Sequence, residues 1–93
     1  MREVRGGEEI YFLWDGKVLE VFDRGPGYRL HAALVQVRRQ GPDRKGRYII
    51  EIERRDGGRL RARPDNFKIR VQVDAQYVAE VLAMIDEVNA AGG

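Results

Sequence analysis

The sequence predicts a mainly β member of the α+β class. Six or seven antiparallel strands form a curled sheet or partly open barrel, capped by one C-terminal amphipathic helix. Three observations carry that expectation. First, Asp15-Gly16 sits between two apolar runs in IYFLWDGKVLEVF, residues 10–22, and Asp-Gly in that setting is the strongest short hairpin signal. Second, FKIRVQV at 67–73 alternates apolar and polar residues with a period of two. Third, the chain then switches to helical spacing, with Val78, Val81, Leu82, Ile85 and Val88 at i, i+3, i+4, i+7 and i+10.

The elements follow in order. Residues 1–7, MREVRGG, are charged and Gly-containing and predict a loose start. Residues 8–91 then form one domain, and 92–93 a short tail. A two-residue type I′ turn at Asp15-Gly16 sets Trp14 opposite Lys17, Phe12 opposite Leu19 and Ile10 opposite Val21. The other side of that ribbon carries Tyr11, Leu13, Val18, Glu20 and Phe22. DRGPG at 23–27 is a turn cluster. In YRLHAALVQVRRQ the first half suits either a short strand or a kinked turn, with a break near Ala32-Ala33. The second half alternates, Val35 and Val37 against Gln36 and Arg38. GPDRKG at 41–46 is an exposed loop. Tyr48, Ile50 and Ile52 then point inward, with Glu51 and Glu53 outward.

The DGG turn at 56–58 is expected to be a three-residue loop closed by Arg55 and Arg59. That parity puts Ile52 and Ala62 on the core face and sets Glu53 against Arg61 and Glu51 against Arg63. RPDN at 63–66 turns the chain again. Phe67, Ile69, Val71 and Val73 face one way; Lys68, Arg70 and Gln72 face the other. Asp74 is the expected N-cap of a helix from Ala75 to about Ala91, with Gly92 at its stop.

Composition narrows the function. The chain has 93 residues, a net charge of +2 and no cysteine. A disulfide framework and a thiolate metal site are excluded. Serine and threonine are absent as well, so hydroxyl nucleophiles of the usual kind are missing. The one histidine, His31, has no second histidine to share a metal. Gly6-Gly7 and Gly25-Pro26-Gly27 do not open a helix after a strand, as a phosphate cradle requires. The expectation is a non-enzymatic chain with no cofactor and no small-molecule substrate. MREVRGGEE lacks the apolar core of a secretory signal, which points to the cytoplasm. The trailing AAGG is also compatible with a linker stub of a longer chain.

Two surfaces are candidates for binding. Tyr11, Leu13, Val18 and Phe22 make the second face of the first hairpin as apolar as the first. Either a curled sheet buries them under a terminus or the helix, or they form an exposed patch of the kind that marks a protein interface, with a homodimer or another protein as partner. The basic set Arg38, Arg39, Arg44, Lys45 and Arg47 is either a solvated turn or an anion contact for acidic lipid headgroups or nucleic-acid phosphates. Tyr48 alone gives poor support for base stacking. Arg outnumbers Lys, which suits a GC-rich genome or selection for phosphate forks.

The succession LWDGKVLEV, YRLHAALVQVRR, RYIIEIERRDGGRL and FKIRVQV followed by a helix resembles the pleckstrin-homology-like superfold, in particular its small bacterial members. The resemblance spans about Glu8 to Ala91. It implies a curled sheet or partly open barrel plugged at one end by the helix. It also implies a binding module for lipid headgroups, peptides or proteins. Members that grip phosphoinositides use a basic cluster around the first hairpin turn; here that turn carries Lys17 alone. An open SH3-like barrel shares the same strand pattern. The function expected is protein–protein contact or self-association, with anionic-surface binding through 38–47 as the alternative.

Overall fold

The computed structural model describes residues 1–25, 27–54 and 68–92. The fold is mainly β; the described residues form seven strands in two antiparallel sheets and one C-terminal helix. The first sheet holds β1 (Arg2–Gly7), β2 (Ile10–Trp14), β3 (Val18–Asp23) and β4 (Tyr28–His31), paired in that order. The second holds β5 (Val35–Gln40), β6 (Tyr48–Arg54) and β7 (Lys68–Val73). A 3-10 turn at Ala32–Leu34 separates the sheets. The single curled sheet or barrel expected from the sequence is therefore divided into four strands and three. The division falls at the expected break, where His31 Nδ1 accepts the Ala33 N–H at 3.2 Å and starts the turn.

The segment 1–7, expected to be loose, is β1. Its single strongly apolar residue, Val4, is opposite Phe12 and 1% exposed. One well-placed apolar side chain on an otherwise charged strand suffices when a neighbouring strand completes the ladder. β1 also ties the two sheets together, because the Gly6 carbonyl accepts the Asp74 N–H at 2.9 Å just beyond β7.

The first hairpin keeps the predicted faces but not the predicted register. Phe12 is opposite Val21 and Trp14 opposite Leu19. The turn centre thus moves one residue along, to Gly16-Lys17, closed by the Asp15 N–H on the Val18 carbonyl at 3.3 Å. Gly16 has φ +98° and Lys17 is not in the positive region. That pattern is the one a type II′ turn wants, with glycine first. Asp15 is left to act from outside the turn. Its Oδ1 accepts the N–H groups of Lys17 and Val18 at 2.8 and 2.7 Å.

One core joins both sheets and the helix. Ile10, Phe12, Trp14, Leu19 and Val21 come from the first sheet; Val35, Val37, Ile50, Ile52, Val71 and Val73 come from the second. The helix α1 (Val78–Gly92) adds Val81, Met84, Ile85 and Val88, at i, i+3, i+4 and i+7. Val78 and Leu82 are only half-buried, and Met84 takes the central place expected of Leu82. A 3-10 turn, Ala75–Tyr77, precedes α1. Asp74 makes no side-chain cap; its backbone carbonyl instead accepts the Tyr77 N–H at 2.9 Å.

Two side chains of α1 fasten the sheets. Glu87 accepts hydrogen bonds from Arg2 and, at 3.2 Å, from Trp14 Nε1. Asn89 faces the free edge of β5. Its Oδ1 accepts the Val37 N–H at 3.1 Å, and its Nδ2 donates to the Val37 carbonyl at 3.0 Å. The side-chain amide thus stands in for one residue of a neighbouring strand and blocks that edge.

The expected DGG loop, with Arg55, Arg59, Arg61, Ala62 and Arg63, and the inward Phe67 lie outside the described residues. The register of β6 is described, and it corrects the expected partners of its two glutamates. β6 has β5 on one side and β7 on the other, so Glu51 stands between Arg38 and Arg70, and Glu53 between Gln36 and Lys68.

Candidate functional site

The outer face of the first sheet brings together the four apolar residues singled out from the sequence. Period-two alternation sends Ile10, Phe12 and Trp14 of β2 into the core and leaves Tyr11 and Leu13 outside. β3 does the same, with Leu19 and Val21 inside and Val18 and Phe22 outside. Tyr11 is opposite Phe22, and Val18 is opposite His31. Tyr11 is 36% exposed; Leu13, Val18 and Phe22 are half-buried. Among the described residues α1 packs mainly on β1, β5 and the two 3-10 turns rather than on this face.

What half-buries them is local. The backbone at Gly27 presses against the Phe22 ring, where a Cβ would stand 2.5 Å from the ring carbon Cε1. The Arg5 guanidinium lies 5.7 Å from the Tyr11 ring centroid and 5.7 Å from that of Tyr77, bridging the two aromatics. Between these borders lies a shallow depression of about 230 Å³ lined by Glu3, Tyr11, Leu13 and Phe22. Glu3 and Arg5 belong to this surface, which the expectation of a loose 1–7 does not include. Their signal is Val4 between them: an apolar residue flanked by charges is the smallest unit of a half-buried strand.

The outer face of the second sheet has the opposite character. Arg38 Nε is 3.1 Å from Glu53, Lys68 Nζ is 3.9 Å from Glu53, and Arg70 Nε is 3.2 Å from Glu51. Glu51 is 9% exposed. Positive and negative side chains alternate across the strands, three cations paired with two carboxylates.

The five basic residues singled out earlier are not gathered into one site. Alternation along β5 sends Arg38 to this outer face and Arg39 to the helix side, where its Nη2 is 3.3 Å from Asp86. Arg47 is held by Asp43, Nε to Oδ2 at 2.8 Å, while Asp43 Oδ1 accepts the N–H groups of Lys45 and Arg47 at 2.8 Å each. Arg44 and Lys45 are exposed at the tip of the same loop.

Both hairpin-tip aspartates are held below the ordinary carboxyl pKa of 3.8. For Asp15 the leading cause is the N–H of Val18, then that of Lys17. For Asp43 it is the N–H of Arg47, with the Arg47 side chain adding to it against some desolvation. Both are turn anchors rather than reactive acids. Among the described residues no group of three or more His, Asp or Glu is placed to hold a metal ion. No helix of the described residues is long and apolar enough to cross a membrane. The chain matches no protein-family model, no curated protein and no solved structure.

Proposed function

We propose that this chain is a non-enzymatic, pleckstrin-homology-like binding module that works by protein–protein contact through the outer face of β1–β4. The supporting observation is the contrast between the two outer faces. One carries an apolar depression with two aromatic walls, Tyr11 and Phe22. The other is closed by its own ion pairs. Apolar groups left together on a surface gain most by meeting another surface. The fold assignment rests on element order: seven antiparallel strands divided four and three, then a helix that joins their shared core.

Binding to an anionic surface through 38–47 is the weaker alternative. Arg38, Arg39 and Arg47 already have carboxylate partners, which leaves Arg44 and Lys45 to do the work.

The test is Tyr11→Glu combined with Leu13→Glu, which charges the depression without touching the Phe22–Gly27 contact. The variant is expected to keep its circular dichroism spectrum and to lose association, read as hydrodynamic size and as retention of bound protein. An unchanged size and unchanged retention in a folded variant would contradict the proposal.

A further inference from the structure

The outer face of β1–β4 is lopsided in charge, and in a way that fits another copy of itself. The cross-strand register runs one row straight across the sheet: Glu3, Leu13, Glu20 and Arg29 on β1 to β4. That row ends in a carboxylate at one edge and a guanidinium at the other. The neighbouring row is Arg5, Tyr11 and Phe22. Arg5 is already engaged, by the two tyrosine rings and by its Nε donating to the Gly7 carbonyl at 2.9 Å. Arg29 is not held in that way. Its side chain is 73% exposed, and its Nε stands 4.0 Å from Glu20, at the limit of an ion pair.

Building on the proposed role of this face, we infer that its occupant is a second copy of the chain, seated face to face about a two-fold axis parallel to the strands. That rotation preserves each row and reverses the strand order. β1 then lies over the β4 of the second copy, and β2 over its β3. Glu3 meets Arg29 of the partner subunit, and the same operation repeats the contact at the other edge. Tyr11 and Phe22 meet each other twice at the centre, as offset aromatic pairs. Facing sheets pack with their strands within about 30° of each other, which this axis allows.

The size of the face sets the strength. Four strands about 4.8 Å apart and five residues of about 3.4 Å each project to roughly 300 Å². That is well under the about 800 Å² per partner of a stable complex. The dimer is therefore reversible and depends on concentration.

Sedimentation equilibrium across a wide concentration range tests it, with melting curves to confirm that each variant folds. The natural chain is expected to approach twice its mass as concentration rises. Glu3→Arg alone and Arg29→Glu alone each place two like-charge pairs in the interface, and each is expected to weaken the dimer about tenfold. An equal mixture of the two variants is expected to regain the natural affinity, because opposite charges then meet at both edges. A chain that stays monomeric at every concentration overturns the second copy and leaves the face open to a different protein. A dimer that Tyr11→Glu abolishes but the mixture does not restore overturns this axis and keeps the face. A dimer that ignores Tyr11→Glu overturns both.

Discussion

The two sheets share one core yet treat their outer faces in opposite ways. β5–β7 alternates Gln36, Arg38, Glu51, Glu53, Lys68 and Arg70 on its outside, and the charged side chains among them pair across the strands. β1–β4 places Tyr11, Leu13, Val18 and Phe22 on its outside together with Glu20, and Glu3, Arg5 and Arg29 form a charged border. Inner faces answer to a common need, the exclusion of water from a shared core. Outer faces answer to what each sheet meets. A face whose charges are paired with one another is complete in water. A face of aromatic and aliphatic groups with Glu20 as its one charge inside the rim is incomplete alone.

The comparison breaks most visibly between adjacent residues of β2. Phe12 is fully buried and Tyr11 points outward. Phe12→Ala is expected to lower unfolding free energy by about 3–5 kcal/mol, as large aromatic truncations in cores do. Tyr11→Ala is expected to change it by less than about 1 kcal/mol. Urea titration of both variants checks the ratio, and equal losses would mean that the outer face is structural.

The next effect belongs to the edge of the second sheet. Asn89→Ala removes both hydrogen bonds to Val37 and leaves a backbone N–H and carbonyl without their partner. A loss of about 1–3 kcal/mol is expected. Faster amide exchange at Val37 should accompany it, because the β5 edge is then open.

The charged outer face is expected to give a smaller response. Glu51→Ala breaks the pair with Arg70, whose side chain is 58% exposed and can return to water. About 1 kcal/mol or less follows after allowance for solvent screening. Salt should weaken the natural chain slightly and leave this variant less affected.

The smallest effect is shared by both sheets, through Asp15 and Asp43 at their hairpin tips. Their folded carboxyl pKa values lie below the ordinary 3.8. A depressed folded value means that the stabilisation is present above the unfolded pKa and lost as pH falls through the folded one. Below about pH 4 the amides of Lys17, Val18, Lys45 and Arg47 should therefore begin to exchange faster, while core amides hold. An NMR pH titration reads this directly. Asp15→Asn and Asp43→Asn should each remove the pH dependence at its own tip only.

Much of the fold was legible from residue order because period-two and helical spacing are read locally. Val35/Val37, Ile50/Ile52 and Val71/Val73 point inward as their alternation demanded. The break at Ala32-Ala33 became the boundary between the sheets. The first hairpin kept its faces because a shift of two residues in register preserves parity. Its exact pairing was set by the Asp15 side chain, which the Asp-Gly signal alone does not reveal. β1 was hidden because a single Val among charges resembles a tail. Asn89 was hidden because its role depends on an edge-strand residue 52 positions away in the chain. The apolar patch was legible as a composition of Tyr11, Leu13, Val18 and Phe22. Its charged border was not, because Glu3 and Arg29 fall at the two ends of one row only through the register of four strands.

The most direct measurement of the central claim is a protein dilution series followed by two-dimensional amide NMR. The account predicts concentration-dependent shifts and broadening at Tyr11, Leu13, Val18, Phe22 and their neighbours on β1 and β4, with β5–β7 silent. Shifts centred on Arg38, Glu53 and Arg70, or a spectrum that does not change with concentration, would contradict it.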